Sequence, residues 1–311
     1  MRTLMIGAGA TGGYFGGRLA QAGRDITFLV RGAREEQLRR SGLQVRSPHG
    51  DFALAPKLIT AEELRASARL FDLILVSTKA YSLEAAIEDF APAIGPGTSI
   101  VPMLNGMRQL EVLDTRFGAE RVLGGSCRIV SDVNPEGEIV QMSKLGDLVY
   151  GERNGERTRR IEAIDAELQG AVGLNAVLAP DVLSAMWSKW FLLASMNVVC
   201  ILSRGTVGEV AAVPHGPDFS RAVVDECAAI ATANGYPPKP AFLAEQAARL
   251  TEANSTLTSS MYRDLVKGAP VEADHILGDF LARGQAHGAH APLIRAAFVQ
   301  LKVYEGQRSR S

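Results

Sequence analysis

The chain has 311 residues, 47% of them hydrophobic and 22% charged, a composition that suits a soluble globular protein with room for two domains. Its net charge of −1 supplies no broad field for nucleic acid or for a membrane surface, so partners recognised by bulk charge are excluded. Cys127, Cys200 and Cys227 lie far apart, with neither pairing logic nor metal-ligand spacing, as suits a reducing cytoplasm.

The chain opens MRTLMIGAGATGGYFGGRLAQAG. Its apolar run, Leu4-Met5-Ile6, is interrupted by glycine too early for a secretory segment. Residues 3–7 predict a strand and residues 12–22 a helix. Between them Gly7-Ala8-Gly9-Ala10-Thr11-Gly12 forms G-x-G-x-x-G. In that setting the first glycine permits the tight turn and the second lets a pyrophosphate approach the backbone. The third allows close helix–strand packing, while the helix N-terminus offers free N–H groups to the phosphates. No Gly-Lys-Ser/Thr follows, so this is not a P-loop. Gly13, Gly16 and Gly17 lie past the phosphates and predict a helix packed closely on its neighbours.

A second strand, 25–30, ends in Val30-Arg31-Gly32. Binders of NAD place an acid there for the ribose 2′-OH. The arginine instead suits a 2′-phosphate, which it can meet with two hydrogen bonds, so the expected cofactor is NADP. The mixed run Arg-Glu-Glu-Gln-Leu-Arg-Arg from Arg34 reads as a solvated face of a helix over 34–42. Strands over 72–78 and 98–104 alternate with helices over 82–94 and 107–117, which predicts a doubly wound parallel sheet. Between 122 and 151 the pattern changes to strands joined by turns, one of them Asn134-Pro135-Glu136-Gly137.

From 181 only helical patterns follow, over 181–203, 218–234, 240–253, 272–288 and 292–305, with Pro180-Asp181 as the start signal. The expected organisation is a Rossmann-type α/β domain over residues 1–175 and an all-helical domain over residues 176–311. The most apolar stretch, Trp190 to Leu202, is thirteen residues long. A bilayer needs about twenty, so the expectation is a buried helix and no membrane partner.

Two polar groups interrupt that helix. Lys189 is the only charged residue between Asp181 and Arg204, and Asn197 follows two turns later. An ammonium in such surroundings is costly unless it snorkels or finds a partner, so the pair marks a candidate polar site in an apolar wall. Downstream, Ser259 and Ser260 precede Glu272 and Asp274, and Glu272 on its own reads equally as a capping carboxylate. His287 and His290 are three apart, but no further ligand completes a set, so no metal is expected. No Gly-x-Ser-x-Gly elbow supports a hydrolase.

Together these residues resemble the ketopantoate reductase (2-dehydropantoate 2-reductase) family over nearly the whole chain. The resemblance rests on Gly7-Ala-Gly-Ala-Thr-Gly12, Arg31, Lys79 in Ser-Thr-Lys-Ala-Tyr, Asn105 in Leu-Asn-Gly, Lys189 in Trp-Ser-Lys-Trp, Asn197, Ser260 in Ser-Ser-Met, and Glu272 twelve residues later. It implies a cytoplasmic oxidoreductase of pantothenate biosynthesis, with hydride passing from NADPH to the ketone of a 2-oxo acid. In that scheme Lys189 hydrogen-bonds the carbonyl oxygen and donates the proton. Asn105 orients nicotinamide and substrate. Lys79 and Glu272 contact the cofactor, Glu272 also tuning the lysine. Asn197 and Ser260 hold the substrate.

Three positions depart from the family pattern: Leu193, Val207 and Leu257 stand where asparagine is common. Each ordinary hydrogen bond lost weakens a polar substrate by roughly 0.5–1.5 kcal/mol, which points to a less polar oxo acid. The rival readings are a 3-hydroxy-acid dehydrogenase of similar build and a non-catalytic NADP-binding sensor. A helical second domain of this kind supports a homodimer.

Overall fold

A computed structural model describes residues 1–310. The chain folds into two compact units, one of Met1–Leu104 with Gln109–Ala185, the other of Asn105–Arg108 with the chain from Met186 onward. In the first, β1 (Arg2–Ile6), α1 (Ala10–Gln21), β2 (Asp25–Leu29) and α2 (Gly32–Ser41) are followed by three short strands, β3 (Leu43–Arg46), β4 (Phe52–Leu54) and β5 (Lys57–Ile59). Then come α3 (Ala61–Ser67), β6 (Phe71–Val76), α4 (Leu83–Phe90), β7 (Ile94–Pro102), α5 (Arg108–Phe117), β8 (Gly124–Val133), β9 (Ile139–Gly151), α6 (Arg159–Leu168) and β10 (Asn175–Leu178).

One sheet runs β5-β2-β1-β6-β7 with every pair parallel. This is the Rossmann order, and it reverses direction between β1 and β6, where a ligand crevice forms beyond the strand ends. A second, mixed sheet runs β10-β9-β3-β4, with β8 antiparallel to β9. The sequence reading expected the strands of 122–151 but not this sheet's partners. β3, β4 and β10 are only three or four residues long, too short to establish a period, although Leu43 and Val45 of β3 are buried in the core. Helix α6 was also unforeseen, although Ile161, Ile164 and Leu168 space its buried face.

Helix α1 lies between the two sheets. A Cβ on Gly16 would stand 2.6 Å from the Phe28 ring of β2, and one on Gly17 would stand 2.8 Å from Leu43 of β3. On Gly13 it would meet Ile139 of β9 at 2.3 Å. The expectation of close packing beyond the loop is met on both faces of the helix. Alongside the glycines, Tyr14, Phe15 and Leu19 are fully buried in one continuous core, each contributing roughly 1.5–3 kcal/mol of apolar burial. The Tyr14 hydroxyl reaches the Gly173 carbonyl at 2.8 Å, so a buried polar end is satisfied.

The second unit is helical, as expected: α7 (Val182–Ser203), α8 (Val207–Ala211), α9 (Gly216–Ala233), α10 (Pro240–Leu250), α11 (Ser260–Val266), α12 (Asp279–Ala286) and α13 (Pro292–Arg308). At 22 residues with a mean hydropathy of 1.5, α7 is long and apolar enough to cross a membrane, which corrects the thirteen-residue reading. Inside the protein 67% of that stretch is buried, as in the core helix of a globular unit. Trp187, Trp190 and Phe280 pack with ring centroids 4.9–6.0 Å apart, and Tyr236 stacks on Trp187. The single helix expected over 272–288 is instead a π turn, Asp274–Gly278, leading into α12. The Trp190 indole N–H donates to the Ile276 carbonyl in that turn at 2.9 Å.

Gly16→Ala gains about 1 kcal/mol in helix propensity but overpacks a rigid, buried ring, at a cost of roughly 1–3 kcal/mol. The expected net loss of up to about 2 kcal/mol lowers the melting temperature by up to about 8 °C in a thermal scan; a rise would show that Phe28 yields.

Candidate active site

The predicted residues fall into two groups, one on each unit. On the first unit, Gly7, Ala8, Gly9, Arg31 and Lys79 line one cleft of about 350 Å³ at the ends of β1, β2 and β6. Gly7 has φ +92°, a left-handed turn that glycine takes without strain. A Cβ on Gly12 would lie 2.2 Å from the Gly7 carbonyl, so the loop closes tightly on the helix. At Gly9 nothing lies within 4 Å of that position. The loop is thus closed behind and open in front. Ala10, Thr11 and Gly12 form the first turn of α1, which carries no acidic residue, and its N–H groups stand ready for an anion. Thr78 adds a buried hydroxyl with no hydrogen-bond partner among the described residues. These features fit a dinucleotide pyrophosphate.

Arg31 occupies the N-cap position of α2, and its side chain is 63% exposed. Its Nη1 lies 3.8 Å from the Asp89 carboxylate of α4, and the Arg65 guanidinium lies 3.6 Å from the other oxygen. Arg34 corrects the expectation of a solvated run. It is half-buried: Nε donates to the Ala8 carbonyl at 2.7 Å, and Nη1 donates to the Gly137 carbonyl at 2.7 Å and to Gln37. Burial pulls its pKa below the usual arginine value. The residue therefore braces the glycine loop against the β8–β9 turn.

The second unit holds Asn105, Lys189, Asn197, Ser260 and Glu272. The Asn105 carbonyl accepts a hydrogen bond from His275 Nε2, which assigns the ring proton to that nitrogen. Gly106, at φ +78°, lets the chain turn against the same ring, where a Cβ would lie 3.2 Å from Nε2. The π turn holding His275 is bound through Ile276 to Trp190, next to Lys189, and the Ile276 N–H donates to the Glu272 carbonyl at 3.0 Å. These bonds bring the backbone around Asn105, Lys189 and Glu272 together. Lys189 and Glu272 are half-buried.

Asn197 is 2% exposed and its Oδ1 has no partner among the described residues, an unusual state for a buried amide. Ser259, not Ser260, caps α11: its hydroxyl accepts from the Tyr262 N–H at 3.1 Å. Its own backbone N–H reaches the Cys200 thiol, whose pKa burial pushes up against that bond. Ser260 is exposed on the first turn. Of the three aliphatic departures, Val207 is fully buried and donates its N–H to the Leu257 carbonyl at 3.0 Å, whereas Leu193 and Leu257 remain half-buried. Val207 therefore belongs to the core.

Sequence reasoning missed Arg34, Asp89 and His275. Each is one polar residue on a short or broken element, and only the tertiary contact distinguishes it from its neighbours. No cluster able to hold a metal occurs among the described residues.

Residues 3–155 match the family model described as "Ketopantoate reductase PanE/ApbA", and residues 181–305 match its C-terminal counterpart. The chain is 35% identical to the "Uncharacterized oxidoreductase YkpB" of Bacillus subtilis over 99% of its length and 100% of that relative. It is 28% identical to the 2-dehydropantoate 2-reductase of Mesorhizobium japonicum, covering 97% of each. The crystal structure of 2-dehydropantoate 2-reductase from Geobacter metallireducens superposes with a TM-score of 0.87 at 28% identity, over 97% of this chain and 99% of that one.

Arg34→Met keeps the apolar stem and removes the brace. It is expected to lower stability by about 2 kcal/mol and to speed hydrogen exchange at the amides of residues 7–13; unchanged exchange would show that the loop is held without it.

Proposed function

The chain belongs to the ketopantoate reductase family of oxidoreductases, and from that premise we propose that it reduces a 2-oxo acid to the 2-hydroxy acid with NADPH. The observation that carries the reading is a pairing of two features. One is a glycine loop closed behind and open in front of Gly9. The other is a helix bearing Lys189 with a buried, unsatisfied amide on Asn197. NADPH supplies the hydride when bound. Gly7 to Gly12 bind its pyrophosphate, Arg31 its 2′-phosphate, and Lys79 and Glu272 make further contacts.

Lys189 donates a hydrogen bond to the C2 carbonyl oxygen and passes its proton as negative charge develops there, so the product leaves as the neutral hydroxyl. Asn105, its backbone tied to His275, orients the carbonyl. Asn197 lies about 12 Å along the helix from Lys189, far enough to meet the substrate's far end; there its Oδ1 would gain the partner it lacks. Ser260 sits within reach of solvent and meets the carboxylate. Leu193, one turn from Lys189, and half-buried Leu257 favour a side chain less hydroxylated than that of 2-dehydropantoate. The buried, free cysteines and the enclosed α7 support a soluble cytoplasmic enzyme, and the helical unit supports a homodimer.

The test is NADPH oxidation across a panel of 2-oxo acids, with Lys189→Met beside the parent. The variant is expected to lose roughly 10²–10⁴-fold in kcat while NADP+ binding, measured by calorimetry, stays within about threefold. Turnover surviving in Lys189→Met removes the lysine mechanism, and binding without reduction of any oxo acid favours a sensor. Leu193→Asn is expected to raise kcat/KM for 2-dehydropantoate by roughly three- to tenfold, the worth of one hydrogen bond; no change would place Leu193 off the substrate's path.

A further inference from the structure

The acid that a dinucleotide fold of this kind offers to the ribose is supplied by the end of the second strand when NAD is the ligand. Here that strand end carries Val30 and Arg31, yet the cleft still contains a carboxylate. Ala86 and Asp89 stand three apart on α4, on one helix face, and both line the cleft opposite the strand end. Asp89 is 25% exposed against 63% for Arg31, so the carboxylate is the better-placed member of the pair and the guanidinium the freer one. Arg31 Nη1 and Arg65 Nη2 approach different oxygens of Asp89, at 3.8 and 3.6 Å. Both distances are long for a hydrogen-bonded pair, and both arginines are exposed, so these contacts are readily exchanged for others.

We propose that Asp89 is a specificity-determining residue of this cleft: its carboxylate competes with a ribose 2′-phosphate for Arg31 and thereby narrows the preference for NADP over NAD. The inference rests on the reading of Arg31 as the 2′-phosphate ligand. A phosphate dianion arriving at Arg31 must displace a carboxylate and then remain beside it, like charge against like charge. A 2′-hydroxyl meets the opposite situation, because a carboxylate accepts its proton in a hydrogen bond. Arg34 cannot take over the role of Arg31. Its Nε and Nη1 are committed to the carbonyls of Ala8 and Gly137, and its Nη2 is buried. Arg65 is engaged from the far side of the same carboxylate and can hold Asp89 when Arg31 leaves it.

The experiment is isothermal titration calorimetry of NADP+ and NAD+ at low ionic strength on the parent protein, Asp89→Asn and Arg31→Ala. Asp89→Ala serves as a second variant, and a thermal scan checks folding. Asp89→Asn is expected to raise the ratio of NAD+ to NADP+ dissociation constants by roughly fivefold, chiefly by tightening NADP+, with NAD+ unchanged or weaker. Arg31→Ala is expected to lower that ratio. If the ratio stays put or falls in both Asp89 variants while Arg31→Ala lowers it, the proposal for Asp89 is overturned and the reading of Arg31 stands. If Arg31→Ala leaves the ratio unchanged, the 2′-phosphate reading fails, and with it the competition proposed here.

Discussion

Helix α1 has sheet on two sides and no room for side chains where it touches them. Gly16 presses on Phe28 from the parallel sheet, and Gly13 and Gly17 on Ile139 and Leu43 from the mixed one. The backbone approaches so closely that the axis of α1, and with it the loop at its N-terminus, has one position. Close-packed interiors transmit displacement, because a shift at one contact must be absorbed at the next. An anion site made of backbone N–H groups depends on such rigidity, since those groups point where the helix points. Arg34 extends the same constraint from outside the helix by tying the Ala8 carbonyl to the turn at Gly137.

The helical unit reaches order by a different route. Its centre is apolar, and several polar groups within it are bound at definite atoms. Trp190 meets Ile276, His275 meets Asn105, and the Ser259 N–H meets Cys200. A buried polar group costs about 1–3 kcal/mol when unpaired, so each of these bonds selects one arrangement of the chain. Asn197 Oδ1, like the Ser220 hydroxyl and Gln300 Oε1, has no such partner among the described residues. Groups that a fold leaves unsatisfied are where a ligand gains most, because binding relieves a cost already present in the free protein.

Charge in the nucleotide cleft shows how far single residues depend on context. Arg31 and Arg34 are three apart in the sequence and chemically identical. One is an exposed guanidinium beside Asp89, while the other is half-buried and committed to carbonyls. Under the strand-end rule for the second strand the first of them is the expected cofactor residue, and it lines the cleft. The rule has no means of finding Asp89, which arrives from another helix 58 positions later.

The sequence by itself determined the strand–loop–helix unit at the N-terminus, the Rossmann class, the helical second half and the family, because each rests on local pattern: glycines at fixed spacing, apolar runs of one period, a lysine alone in an apolar helix. Tertiary structure decided the rest. The mixed sheet was hidden because β3, β4 and β10 have only three or four residues each, and such strands acquire meaning only from a partner. The π turn at Asp274–Gly278 has the hydrophobic spacing of a plain helix, while its width goes with a contact 86 residues away, at Trp190. Val207 stands at a position where the family pattern has a polar residue, yet it is completely buried, through packing that no spacing reveals. Periodicity records which face of an element is apolar; it does not record what that face meets.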